Sequence, residues 1–319
     1  MRAARGQSLG AKTLHPLMTH RRAVLTMLAV TLMWSIAGVV TRHLQAARSF
    51  EVTFWRSAFT VLALLVLLTW LRGGRELMRS LREGGRTLWL SGLCWSVMFT
   101  AFMVAITLTA VANVLVTMAI APLLTALMAR AFLGHRLAAR TWGAIVVAGI
   151  GIVWMYAREV SAADARQLLG TVVALAVPVA AAVNWTVIQH SRQGADVDLL
   201  PAVLIGALIS AIVTMPLSVP FAASAHDLCL LALLGVVQLA IPCLMAVAAA
   251  RHLSAPEASL LALLEVVFGV AWAWLGANEA PAAHVLGGGT LVLTALAANE
   301  ALALRSVAQT GEGAARDAT

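Results

Sequence analysis

The chain has 319 residues, 61% of them hydrophobic and only 11% charged, too few polar groups to coat a water-soluble globule of that size. The formal net charge is +8, but the basic residues stand between apolar runs and form no basic face interleaved with aromatics, which argues against nucleic acid as a partner. The bilayer is the expected solvent, and helices the expected spanning element, because barrel strands would alternate apolar and polar residues.

Residues 1–22 are polar and basic with no small-residue cleavage site after a short apolar core, so they read as a retained tail, and the first span as its own targeting signal. Apolar runs then recur that approach the roughly 20 residues needed to cross a hydrocarbon core. In chain order they are Ala23–Val40, Val52–Leu71, Leu88–Ala105, Val111–Ala129 and Trp142–Tyr156, then Leu169–Ile188, Leu199–Val219, Leu228–Ala250, Ala258–Leu275 and Val285–Leu304. The connections are short and leave no room for a soluble domain. The expected fold is all-α, with ten transmembrane helices.

Basic residues accumulate on the cytoplasmic side of membrane proteins. With the N-terminus inside, inner segments collect Arg2, Arg5, Lys12, Arg21 and Arg22, then Arg72, Arg75, Arg79, Arg82 and Arg86, and later Arg130, Arg136, Arg140, Arg192, Arg251, Arg305 and Arg316. Outer loops hold only Arg42, Arg48, Arg158 and Arg166. One missed span would scramble this bias, so it supports the count and places both termini in the cytoplasm. Five spans are an odd number, so a second half repeating the first must enter the membrane from the opposite face, giving two inverted repeats at 23–157 and 168–304 with a tail at 305–319. Residue-level similarity is faint: one register pairs Ala129 with Ala273 and Gly143 with Gly287.

Polar and aromatic residues inside apolar runs are the candidate site. Trp34 and Trp185, the latter beside Asn184, sit within their helices; they suit either core packing or the wall of a cavity for an apolar or cationic solute. Arg56, about one turn inside the second span, is expected to snorkel to the outer interface, with pairing to a substrate carboxylate as the alternative. In the fourth span Asn113, Thr117, Ala121 and Thr125 form a stripe that should face the bundle interior. Gln238 adds a polar group to the eighth span, and Pro122 and Pro242 are expected helix kinks. Glu265 lies near the middle of the ninth span, where an ionised group costs on the order of 3 kcal/mol; Glu257, eight residues earlier, reads as a helix-entry charge. Cys94, Cys229 and Cys243 read as buried small hydrophobes, and His190, His252 and His284 as interfacial. No phosphate loop, nucleophile motif or metal-ligand spacing is evident, so neither catalysis nor a metal nor a cofactor is expected.

Three stretches carry a family resemblance. They are the Trp of each half's opening helix (Met33-Trp34-Ser35, Asn184-Trp185-Thr186), the run from Ala121-Pro122 to Leu133-Gly134-His135-Arg136-Leu137, and its second copy from Ser254-Ala255-Pro256-Glu257-Ala258-Ser259 through Leu264-Glu265-Val266 to Asn278-Glu279. Their order and spacing resemble the drug/metabolite transporter superfamily, in particular its ten-helix members with two EamA domains. The chain departs from that pattern at Val266, where Pro is common, and at His135, where Glu is common. The resemblance implies an inverted-repeat transporter of amino acids, nucleobases, sugars or other small metabolites, often an exporter. The expectation is therefore a secondary transporter in the bacterial inner membrane, monomeric or homodimeric. Its partners would be a small-molecule substrate, the lipid bilayer and protons as a coupling ion. A non-transporting scaffold or a channel-like protein is the alternative.

Overall fold

The computed structural model describes residues 18–133, 139–160, 164–193, 197–295, 297–298 and 302. Of the two tails only residues 18–22 fall within this range, and His135 and the tail 305–319 lie outside it. Every regular element among the described residues is helical. Eight helices are long and apolar enough to cross a membrane: His20–Arg42, Phe50–Arg72, Gly85–Leu108, Val111–Phe132, Ala165–Ser191, Leu200–Ser218, Ala225–Ala250 and Glu257–Ala277. Two shorter apolar helices, Trp142–Gly151 and Ala283–Ala295, stand at the fifth and tenth positions. This is an all-α membrane architecture with the expected order of spans. Between the second and third spans a polar helix, Gly74–Glu83, buries only Leu77.

Several spans are interrupted near mid-length. The first breaks at Ser35–Ile36, the fourth at Ala119–Ile120 and the ninth at Leu263, while the eighth unwinds into a π-helical segment, Leu234–Ala240. Irregular backbone at membrane depth is tolerated only where protein or a cavity covers it. Pro122 follows the fourth-span break by two residues, and Pro242 follows the π segment by two. Pro cannot donate the next helical hydrogen bond, so both sit where the backbone has already departed from α geometry.

The halves interdigitate. The third span packs along the sixth and seventh, the second along the seventh and eighth, the first along the eighth and ninth, and the fourth along the sixth and ninth. Close approach depends on glycine: a Cβ on Gly206 would stand 2.4 Å from Trp95 Cβ, and one on Gly235 would stand 2.7 Å from both Arg56 O and Phe59 Cβ. The buried side chains form two apolar clusters. One gathers Met27, Leu68, Leu88, Ile188 and Val247. The other gathers Ile106, Val114, Leu115, Leu231 and Val285.

Two carboxylates lock one face. Glu51, in the first turn of the second span, accepts from Ala222 N (2.9 and 3.0 Å) and Ala223 N (2.8 Å) in the loop before the eighth span. Asp227, in the first turn of the eighth span, reciprocates by accepting from Gln45 N, Ala46 N and Ala47 N (2.8–3.0 Å) in the loop before the second. Both side chains are fully buried. On this clamp face Arg42 also pairs with Glu279 at 2.7 Å, and Glu279 accepts from Val111 N. At the opposite face Arg72 pairs with Asp198, and Gln189 accepts from Ala255 N. Glu257 caps the ninth span with Ser254, as its reading as a helix-entry charge requires, and meets His20 at 3.1 Å.

Candidate functional site

A cavity lies where the interrupted spans meet. Its lining comes from the breaks themselves: Trp34 ends the first helical piece, Met118 and Ala121 flank the fourth-span break, Leu263 and Glu265 the ninth, and Gln238 lies in the π segment. Met98, Trp95, Phe99, Phe102, Pro178 and Trp185 complete a largely aromatic and apolar wall. Both apolar clusters contribute to it, so the cavity sits at the level where they join.

Two charged groups of opposite sign line this wall. Arg56 is 1% exposed; its Nη2 donates to Phe99 O at 2.8 Å, its Nη1 makes a long 3.5 Å contact to Gln238 Oε1, and its Nε has no acceptor. The guanidinium carbon is 5.9 Å from the centre of the Phe99 ring, close enough for a cation–π contribution. Glu265 is 8% exposed, and no hydrogen bond or ion pair to its carboxylate forms among the described residues. Gln238 links Arg56 to the first-span break, donating Nε2 to Trp34 O at 3.2 Å. Trp95 Nε1 is a second buried donor without a partner. Such a pocket can orient a polar solute against fixed charges and hold its apolar part against indoles. Among the described residues no group of three or more His, Cys, Asp or Glu is placed to hold a metal.

The model of the EamA-like transporter family matches residues 21–157 and again 168–299. The chain belongs to that family. It is thus a multi-pass membrane protein of a drug/metabolite transporter type, with one family domain per half. No curated protein matches the sequence. Among 24 matching chains of solved structures, one described only as the crystal structure of a protein aligns with a TM-score of 0.62 at 17% identity, covering 89% of this chain and 99% of the other. At that identity the likeness speaks for the fold alone.

In this EamA-like transporter the structure brings Trp34, Trp185, Gln238 and Glu265 together around one cavity. Asn113 and Thr117 are buried outside its lining, where Thr117 Oγ1 donates to Asn113 O at 2.7 Å and Asn113 Nδ2 to Thr109 Oγ1 at 3.2 Å, while Ala121 of the same stripe lines the cavity and Thr125 Oγ1 donates to Ser259 Oγ of the ninth span at 3.3 Å. Asn184 is buried one residue from Trp185, accepting from Ser91 Oγ at 2.7 Å, with its Nδ2 unpartnered. Arg56 corrects its expected snorkelling: it points inward because Gly235 lets the eighth span cross its backbone and close over it. Cys229 is a second correction, exposed on the outside of the bundle where Cys94 and Cys243 are buried. Trp95 and Phe99 carried no polar signal in the sequence, yet both line the cavity, on the third span where Gly92 and Gly206 let it approach the seventh closely.

Proposed function

We propose that this protein is a secondary transporter, working as an exporter. It moves small metabolites such as amino acids or amphipathic drugs across the bacterial inner membrane by alternating access. Both termini are cytoplasmic in this reading, which makes the clamp face periplasmic, as the basic-residue bias requires. The observation that carries it is the cavity at the helix breaks, holding Glu265 and Arg56 in a largely apolar wall. Charge inside a bundle is costly, and it marks solute and proton paths in membrane proteins. Broken helices at a repeat interface are where inverted-repeat transporters place their substrate. Protons are the coupling ion in this account, with Glu265 as the group that exchanges them as the cavity changes its exposure.

The test is transport by the purified protein in liposomes with candidate solutes inside and an imposed pH gradient. A transporter gives saturable, gradient-dependent flux. A scaffold would move nothing, and a channel would conduct without saturation; either result would end this reading.

A further inference from the structure

Between the second and third spans, on the face opposite the clamp, residues 72–86 carry five arginines against two glutamates. Gly73 and Gly85, both at positive φ, turn the chain out of one span and into the next, so that the helix between them, Gly74–Glu83, is an element of its own. Its faces are sorted. Leu77 and Leu81, four residues apart, pack into an apolar cluster of the bundle. Arg75, Arg79 and Arg82, at i, i+4 and i+7, share a second face and line a shallow surface depression with Met78 and Glu83. At 3.6 residues per turn Met78, 50% exposed, falls between the leucines and the arginines, while Glu76 and Glu83 fall beyond the arginines. Around the helix the order is therefore apolar, basic, acidic. A helix lying along a bilayer needs that order, with the methionine toward hydrocarbon, the guanidinium groups at the phosphates and the carboxylates in water.

The fold leaves the basic face only partly neutralised. Arg79 pairs with Glu76 at 2.6 Å and stands 3.9 Å from Glu83, and Arg72 pairs with Asp198. Arg75, Arg82 and Arg86 are exposed and form no ion pair among the described residues. Trp70, 81% exposed in the last turn of the second span, and Trp89, 55% exposed near the start of the third, are indoles of the kind that stand at headgroup level, and they bracket this helix. We propose that Arg75, Arg82 and Arg86, with Met78 beside them, form a docking surface for the anionic headgroups of membrane phospholipids. A soluble anion would neutralise the guanidinium groups and leave Met78 in water, whereas an acidic phospholipid satisfies both. A zwitterionic lipid carries its own cation beside the phosphate. The general bias of basic residues to one side of a membrane does not sort them onto one face of a helix beside an exposed methionine. The surface lies apart from the cavity, and the inference holds whether or not a solute is moved.

The purified full-length protein in detergent tests this through its thermal midpoint during titration with phosphatidylglycerol or with phosphatidylcholine of the same acyl chains. Phosphatidylglycerol is expected to reach half of its stabilising effect at about a tenfold lower concentration, since each basic residue at such a surface adds a modest attraction. The preference should fade at about 1 M salt, where the screening length falls to about 3 Å. Arg75→Gln combined with Arg82→Gln should abolish it, whereas Glu76→Gln, which frees Arg79, should widen it; a merely structural helix would not give these opposite signs. Equal titration by the two lipids, or a preference that survives in the double variant, overturns the proposal. Glycerol phosphate, a soluble anion without acyl chains, should give no rise at the same concentrations. A rise as large as that of the lipid would assign the face to soluble anions and overturn the docking of lipid. The lipid comparison is made on the wild type, so it stands even if a variant fails to fold.

Discussion

Among the described residues four charged side chains are buried, in two contrasting ways. Glu51 and Asp227 at the clamp face are saturated: Asp227 accepts from four backbone amides, at Gln45, Ala46, Ala47 and Ser224, and Glu51 from those of Ala222, Ala223 and Arg48. Arg56 and Glu265 at the cavity are not. Burial alone therefore says little about role. A charge whose hydrogen-bonding capacity the fold itself fills is part of the architecture, and here each clamp carboxylate ties the start of its own span to the loop before the other. A charge the fold fills only in part keeps hydrogen-bonding capacity for something beyond the architecture to complete.

The largest stability effect should come from breaking a filled site. Asp227→Ala orphans several backbone donors and should lower stability by about 2–4 kcal/mol, read as a fall in the thermal midpoint in detergent. A midpoint equal to that of the wild type would remove the structural reading of the clamp. Gly235→Ala comes next. Its new Cβ meets the Arg56 carbonyl and Phe59 Cβ at 2.7 Å, so the eighth span must shift at a cost of about 1–3 kcal/mol. Because Gln238 moves with it relative to Arg56, solute binding should weaken as well. A stable Gly235→Ala protein with unaltered binding would break the link between that crossing and the cavity.

Arg42→Gln removes a partly exposed pair on the clamp face and should cost about 1 kcal/mol, the scale of an accessible ion pair. The smallest change in stability, within about 1 kcal/mol, is expected for Glu265→Gln, since an unfilled charge replaced by its neutral isostere loses little packing. A large drop in its melting temperature would place Glu265 with Glu51 and Asp227. Thiol labelling sharpens the boundary of the cavity. Cysteine at Glu265 should react with small polar reagents and be protected by solute, whereas cysteine at Asn113 or Thr117, buried on the lining helix but outside the lining itself, should react slowly.

Much of this was legible in the sequence, for identifiable reasons. Span order followed from apolar run length and from the sign of the loops. Glu265, Gln238 and Trp185 stood out because polar or amphipathic groups are rare inside apolar runs. Arg56 was misjudged because its distance from the span end is a one-dimensional measure, while its burial depends on the eighth span crossing at Gly235. Trp95 and Phe99 were silent, since an aromatic residue in an apolar helix does not announce which face it is on. The stripe at Asn113 and Thr117 correctly pointed inward, but a sequence cannot distinguish polar groups that bond within their own helix from groups that line a cavity.

The central claim is that the unfilled charges serve transport and not architecture. Reconstituted Glu265→Gln protein, confirmed as folded by its melting temperature, tests this most directly when accumulation under a pH gradient is measured beside solute exchange without one, at saturating solute. The expected result is retained exchange with loss of gradient-driven accumulation and of its pH dependence. Accumulation by that variant at the wild-type rate, with an unchanged pH profile, would contradict the account and leave Glu265 as a structural residue.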